Sequence, residues 1–188
     1  MRRTKWATVA VAVSVAAIAL GAAGCGTSDA DAEGAAAAPI STTPRPKGTG
    51  PLTKDIVRTD INTSAADAGI PANAPEWGRG FDEAPADSAR SCSASFKGFG
   101  TEATPVDVDR HKTVVDELRE RGWQQTRTAK ERNDRGDRQI NMSQAILKQR
   151  GWTVVATYRT FDENGVITLT AFEDACMKEK GADSGPVG

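Results

Sequence analysis

The sequence contains a single histidine, His111, and this scarcity restricts the catalytic chemistry available to the chain. Histidine is the usual base in Ser/His/Asp and Cys/His catalysis, so a site of either kind would have to include His111. His111 stands between Arg110 and Lys112 at the apolar edge of a helical pattern, and no glycine-framed serine of the nucleophile-elbow type occurs. We therefore expect a partly packed surface histidine and predict no catalytic residue of these classes.

Metal and phosphate ligands are also few. A structural zinc site takes four Cys or His ligands, and the chain offers one histidine and three cysteines. It has no glycine-rich loop of the kind that cradles phosphates. Carboxylates are plentiful, but they are scattered over turns and helix faces, so a two-carboxylate hydrolase remains only an alternative. We predict no metal and no cofactor.

The chain has no basic excess and only one long apolar run. That run, Trp6 to Leu20, follows the basic residues Arg2, Arg3 and Lys5, as in a secretory signal peptide. Removing residues 1–24 takes away those three basic residues and leaves 21 basic against 25 acidic side chains. This balance does not favour a nucleic-acid partner, and no second run is long enough to span a membrane.

Small residues precede a cysteine at the end of the apolar run. Gly21-Ala22-Ala23-Gly24-Cys25 resembles a lipobox, which implies cleavage after residue 24 and acylation of Cys25. The predicted partner is then the lipid membrane, and the predicted location is the outer face of the cytoplasmic membrane. An ordinary cleaved signal with a chance cysteine is the alternative. Residues 25–51 are rich in Ala, Gly, Pro, Ser and Thr and predict a flexible tether.

Two segments have helical periodicity. From Thr53 to Ala68, apolar residues recur on one face, and Gly69-Ile70-Pro71 supplies a left-handed helix stop. A second helix is predicted from about Asp109 to Arg121, ending at Gly122 with Trp123 as its apolar partner. The Pro- and Gly-rich segment 72–91 between them predicts a crossover on the surface.

The remaining segments predict strands. They are 93–99, 124–131, 140–149, 152–161 and 166–174, the last two joined by the turn residues of 162–165. For 140–149 the spacing of Met142, Ala145 and Ile146 also fits a helix, and we favour a strand because its neighbours are strands. The predicted fold is α+β over residues 52–178: an antiparallel sheet of four to five strands with two helices on one face, followed by a disordered tail, 179–188.

Cys92 and Cys176 bracket this domain. An even pair of cysteines in an exported chain predicts a disulfide, for which a metal site is the competing interpretation.

The lipobox, the tether, the cysteine pair and the C-terminal third (Gly-Trp-Thr-Val-Val-Ala to Leu-Thr-Ala-Phe-Glu-Asp-Ala-Cys) resemble small exported lipoproteins of high-GC Gram-positive bacteria that carry no assigned activity. The resemblance implies an extracellular α+β domain and brings no functional residue. We predict a non-catalytic interaction or ligand-binding domain for an unknown protein or small molecule. A cell-envelope hydrolase and a carrier of an apolar ligand between helices and sheet are the alternatives. The predicted binding surface comprises Tyr158, Arg159, Arg127 and Arg135.

Overall fold

The structure is a computed structural model that describes residues 50–133, 140–161 and 164–182. The predicted signal peptide, Cys25, most of the tether, Arg135 and residues 183–188 lie outside these ranges. Within them, no helix is long and apolar enough to cross a membrane.

Five strands form one antiparallel sheet. In chain order they are β1 (Ser93–Phe99), β2 (Gln124–Arg132), β3 (Met142–Gln149), β4 (Trp152–Phe161) and β5 (Asn164–Glu173), and their order across the sheet is β1-β5-β4-β3-β2. The last four strands are a meander, and β1 is the outer strand beside β5. The predicted antiparallel α+β fold is confirmed, and the segment 140–149 forms a strand over Met142–Gln149, which pairs along its whole length with β4.

Two helices cover one side of the sheet, here called the helix side. They are α1 (Lys54–Asp67) and α3 (Val108–Glu120), which contact each other, and they pack on β1 and β5 and on β3 and β4, respectively. Two shorter helices were not predicted: α2 (Pro75–Asp82) beside β1, and α4 (Asp174–Glu179) after β5. A short 3-10 helix, Ala89–Cys92, leads into β1.

The core lies between α1, α3 and the sheet. Side chains from alternate strand positions point into it and meet the apolar stripes of both helices, including Val57, Ile61, Val114, Leu118, Val154, Leu169. The other side of the sheet, here called the open face, carries no such layer of described residues over its central strands. The described domain thus buries one face of its sheet more fully than the other.

The tripeptide Arg-Gly-Trp occurs at two turns that have the same function in the fold. Gly122 and Gly151 both have positive φ, 91° and 82°. The tryptophan after each glycine is buried, and its indole donates a hydrogen bond to α1 or to the residues just before it. Trp123 Nε1 donates to Asp60 Oδ2 at 3.0 Å, and Trp152 Nε1 donates to Leu52 O at 3.0 Å. The two indoles therefore tie α1 and the residues leading into it to the sheet at two points, Asp60 and Leu52.

A disulfide joins Cys92 to Cys176, as predicted. It links the 3-10 helix before β1 to α4. Residues 179–182 were predicted to begin the tail, but they complete the end of α4, where Ala182 N donates to Met177 O at 3.0 Å and Gly181 has a φ of 66°. The ordered domain thus extends past the predicted boundary.

Candidate functional site

A cleft of about 440 Å³ lies between α1, α2 and the outer edge of β1. Its lining is mainly small and apolar, with Ala66 and Ile70 from α1 and its terminus, Ala74 and Pro75 before and in α2, and Phe96 from β1. Polar and charged groups complete it: Arg58, Asn62, Arg79, Asp82, Ser95, Lys97. Cavities of a few hundred cubic ångströms with an apolar lining and few charges are typical of small-molecule sites.

The helix α2 forms the outer wall of the cleft because a glycine lets it approach β1. A Cβ atom at Gly78 would lie 2.9 Å from the backbone oxygen of Ser95. Next to it, Trp77 Nε1 donates to Ser95 Oγ at 2.9 Å. At the far end of the helix, Lys54 Nζ donates to Phe81 O at 2.7 Å. In the described structure none of the eight residues of α2 is fully buried, so polar contacts hold this wall.

The end of β1 is closed by a side chain. Asn73 presents its amide to the backbone of Phe99: Nδ2 donates to Phe99 O at 2.9 Å, and Phe99 N donates to Asn73 Oδ1 at 2.9 Å. An amide in this position imitates the next strand of a sheet. It leaves the stretch Ser95 to Lys97 as the floor of the cleft.

The charges around the cleft are mostly positive. Arg58 forms an ion pair with Asp82, the single carboxylate among the described residues of the lining. Arg58 Nε is buried without a hydrogen-bond partner among the described residues, so this guanidinium retains unused donor capacity. Arg79 and Lys97 make no ion pair with any described residue. One negative and three positive side chains therefore give the lining a net positive charge.

His111 is not the surface histidine that the sequence predicted. It is 1% exposed and lies in the core, where its Nε2 is 3.1 Å from Ala156 O. A carbonyl can only accept, so Nε2 carries the proton and donates. Burial lowers the pKa of His111, partly opposed by this hydrogen bond and by Glu131. His111 is not among the described residues that line the cleft.

The predicted surface residues do not form one surface. Arg127 and Arg159 are exposed, and both lie on the open face, since Arg127 is opposite Ile146 and Ile146 is opposite Val155. Tyr158 is 5% exposed and belongs to the helix side. Neighbouring residues of a strand point to opposite faces, so Tyr158 and Arg159 cannot share a surface. Arg135 lies outside the described residues.

A second depression of about 690 Å³ follows the outer edge of β2. Its described lining is almost entirely polar and includes Arg119 and Arg127. It offers little apolar surface to a ligand, so the cleft at β1 is the stronger candidate for a small molecule.

The sequence prediction missed the cleft. Its outer wall, α2, lies in the segment that was predicted to be a surface crossover, because its Pro, Gly and Ala residues resemble loop composition. The available signal was Pro75 followed by Glu76, which suits the first turn of a helix. Trp77 and Phe81, the two large aromatic residues of this segment, lie one turn apart on α2, with ring centroids 5.9 Å apart.

Comparison with known proteins identifies no relative: no family model matches the chain, and no curated protein or solved structure is significantly similar to it. The resemblance to small exported lipoproteins stays a prediction.

Proposed function

We propose that the chain is a lipoprotein anchored through Cys25 at the outer face of the cytoplasmic membrane, and that its domain is a non-catalytic module that binds a small anionic amphiphile in the cleft. The single observation that carries the binding proposal is the cleft itself. It combines an apolar lining with three positive side chains and one carboxylate. The chemical class that matches is an apolar body with a carboxylate, sulfonate or phosphate head.

The positions of the charges support this ligand class. Arg58 is engaged by Asp82, whereas Arg79 in the outer wall and Lys97 in the floor have no carboxylate partner among the described residues. A guanidinium can form a charge-assisted bond to a carboxylate, which is stronger than a neutral hydrogen bond. The apolar part of the ligand would pack on Ile70 and Phe96.

The outer wall of the cleft, α2, can also move without exposing much buried surface. Since α2 buries none of its residues fully, displacing it exposes little core. Entry of an amphiphile would thus need a shift of one short helix held by a few polar contacts.

The carrier alternative agrees with the position of the cleft beside the helix layer, and it differs from our proposal only in that the ligand is neutral. The hydrolase alternative needs two converging carboxylates. Asp82 is the single one among the described lining residues, and it is paired with Arg58, so no observation favours hydrolysis.

A dansyl-labelled fatty acid and its methyl ester test the proposal by fluorescence titration. We expect the acid to bind about 5- to 10-fold more tightly than the ester, because the ester cannot accept a charge-assisted bond. Arg79→Gln should reduce this preference about fivefold and leave ester binding unchanged. Ala66→Phe fills the cleft and should weaken both probes.

Arg119→Gln is the matched control, because Arg119 is an exposed arginine on α3 that lines the second depression and not the cleft. Its affinity for both probes should equal that of the natural chain. Equal binding of acid and ester would support the neutral carrier instead. Unchanged affinities in folded Arg79→Gln and Ala66→Phe would remove the cleft as the site.

A further inference from the structure

The register of the sheet places twenty residues of the open face in four rows that cross all five strands. Each row runs from β2 through β3, β4 and β5 to β1. The rows are Arg132, Met142, Arg159, Val166, Phe99; then Lys130, Gln144, Thr157, Thr168, Lys97; then Arg127, Ile146, Val155, Thr170, Ser95; and then Gln124, Lys148, Thr153, Phe172, Ser93.

These rows contain six basic residues and no carboxylate. This contrasts with the exported chain as a whole, in which acidic residues outnumber basic ones. Among the described residues, Asp174 just past β5 contacts this face: it pairs with Lys148 at 3.7 Å and accepts from Thr153 Oγ1 at 2.7 Å. Four of the six cations, Arg132, Arg159, Lys130 and Lys97, fall in the first two rows, so positive charge is concentrated at one end of the sheet.

The same end carries the exposed aromatic side chains. Among the described residues, the large apolar side chains that are exposed are Trp77, at 37%, and Phe99, at 38%. Both flank one cation: Lys97 Nζ lies 4.3 Å from the Trp77 ring centroid and 5.1 Å from that of Phe99. Trp77 reaches this position because its Nε1 bonds Ser95 Oγ, which also lies on the open face.

We infer that this end of the open face docks onto an anionic phospholipid surface, with the cations at the headgroups and Trp77 and Phe99 in the interface. Tryptophan and phenylalanine beside lysine and arginine form the combination that proteins use at membrane interfaces. A broad sheet face with threonines and short aliphatic side chains between the cations lets several headgroups be contacted at once. Each cation near an anionic surface raises the partition coefficient about fivefold.

The setting of this contact rests on the proposed lipid anchor. Between Cys25 and Gly50 the chain has roughly 24 residues, and a flexible linker of that length, which the sequence predicts here, would span about 25–30 Å on average. A domain held so close to the bilayer meets it at a high effective concentration, so even a weak contact would be occupied. The exposed aromatics distinguish this partner from an acidic protein, for which cations alone would be sufficient.

The test uses the exported chain with Cys25→Ser, which has no lipid, so that its outcome is independent of the anchor. Vesicles of phosphatidylcholine alone are compared with vesicles of phosphatidylcholine and phosphatidylglycerol in equal amounts. Trp123 and Trp152 are 2% exposed, so Trp77 is the described tryptophan that can respond. We expect a blue shift of its fluorescence with the anionic vesicles only, and loss of the shift at about 1 M salt, where charges are screened within about 3 Å.

Two doubly substituted chains with the same net charge locate the contact. Lys130→Gln with Arg159→Gln removes two cations of the open face and should lower the partition coefficient about 25-fold. Lys112→Gln with Arg119→Gln removes two exposed cations of α3 on the helix side and should leave it within about twofold of the starting chain. Phe99→Ser should weaken binding without changing its salt dependence.

Equal losses in the two double variants would overturn the assignment to the open face. Equal binding to neutral vesicles, or no change in Trp77 fluorescence on anionic ones, would overturn the membrane contact itself. Binding of polyglutamate but not of vesicles, lost in the Lys130/Arg159 variant, would assign the face to an acidic protein instead. Fatty-acid binding in the cleft should be equal in all these variants, so this inference and the proposed ligand site can fail separately.

Discussion

At the scale of single residues, His111 has an unusual position for an ionisable group. Its ring is buried, Nε2 donates to Ala156 O, and Nδ1 has no hydrogen-bond partner among the described residues. Protonation would place a charge and a second donor, Nδ1–H, in this environment. Burial therefore lowers the pKa of His111, with Lys112 acting in the same direction and the Ala156 bond and Glu131 against it.

A lowered pKa makes the stability of the fold depend on pH. In the unfolded chain His111 titrates near 6.5, while in the folded chain it still resists protonation below that value. The unfolded state then binds more protons, so stability is complete above about pH 6.5 and falls as the pH decreases. The maximum slope is about 1.4 kcal/mol per pH unit, down to the folded-state pKa. Since the chain has one histidine, we assign to it the loss of stability that begins as the pH falls below about 6.5.

Urea unfolding at several pH values measures this dependence. We expect His111→Gln, which keeps a polar side chain that does not titrate, to lose the decrease in stability that begins below about pH 6.5. His111→Ala should cost roughly 2–4 kcal/mol at pH 7.5, because it leaves a cavity and an unpaired carbonyl. The exposed neighbour provides the control, since Lys112→Ala should change stability by less than about 0.5 kcal/mol. A pH profile of His111→Gln that matches the natural chain would contradict this assignment.

The alternation of strand residues explains which parts of the predicted surface were wrong. Along β4, the residues Trp152, Val154, Ala156 and Tyr158 share the helix side, so the apolar pattern already placed Tyr158 inside. The prediction kept Tyr158 with Arg159 because an aromatic next to a guanidinium suits an interface. The burial of His111 was not predictable in the same way, because its position at the edge of the α3 stripe is decided by how closely α3 approaches β4.

At the scale of elements, the two glycines of α2 have opposite surroundings, although they are two residues apart. Gly78 faces the backbone of Ser95, whereas a Cβ at Gly80 would meet nothing within 4 Å. A glycine inside a helix is unfavourable by about 0.5–1 kcal/mol relative to alanine unless close packing requires it. Close packing on β1 therefore explains Gly78, whereas nothing in the described structure explains Gly80.

Alanine substitutions at the two positions test this difference in packing. Gly80→Ala should raise the free energy of unfolding by about 0.5–1 kcal/mol. Gly78→Ala should lower it by about 1–2 kcal/mol and weaken fatty-acid binding, because the new methyl group pushes α2 away from Ser95 and reshapes the cleft. Chemical denaturation and the dansyl titration give both quantities. Stabilisation by both alanines would mean that α2 does not approach β1 closely.

Elements with their own start and stop signals were predicted well. The left-handed glycines after α1 and α3, and the β-branched runs of β4 and β5, are local signals, and the structure has these elements within a residue or two of their predicted ends. The helix α2 has a weaker local signal and depends on distant contacts such as Lys54 with Phe81 O. The cleft is formed by that tertiary contact, so the sequence could supply its residues but not their arrangement.

At the scale of the whole molecule, the disulfide and the two candidate surfaces all involve the edge strand β1. Cys92 and Cys176 are 84 residues apart, and closing a loop of that length restricts the unfolded chain by about 4.5 kcal/mol in the chain-entropy model. The linkage fixes the start of β1 to α4, so the edge strand that forms the cleft floor is held at its first residues. The cleft lining and the rows of the open face share Ser95 and Lys97 of this strand.

Attachment of the whole molecule should therefore have two unequal contributions, which subcellular fractionation can separate. We expect Cys25→Ala to move the protein from the membrane fraction to the medium, because an anchor with more than one acyl chain holds firmly, whereas a tether with none leaves only the electrostatic contact. Any Cys25→Ala protein still found on membranes should be released by a wash at about 1 M salt, since screened cations no longer attract headgroups. The natural protein should resist that wash.

The chain with Lys130→Gln and Arg159→Gln and an intact Cys25 should remain in the membrane fraction, because the acyl chains are sufficient for attachment. Salt-resistant membrane attachment of Cys25→Ala would disprove the lipid anchor, and it would leave the vesicle measurement on the open face unaffected.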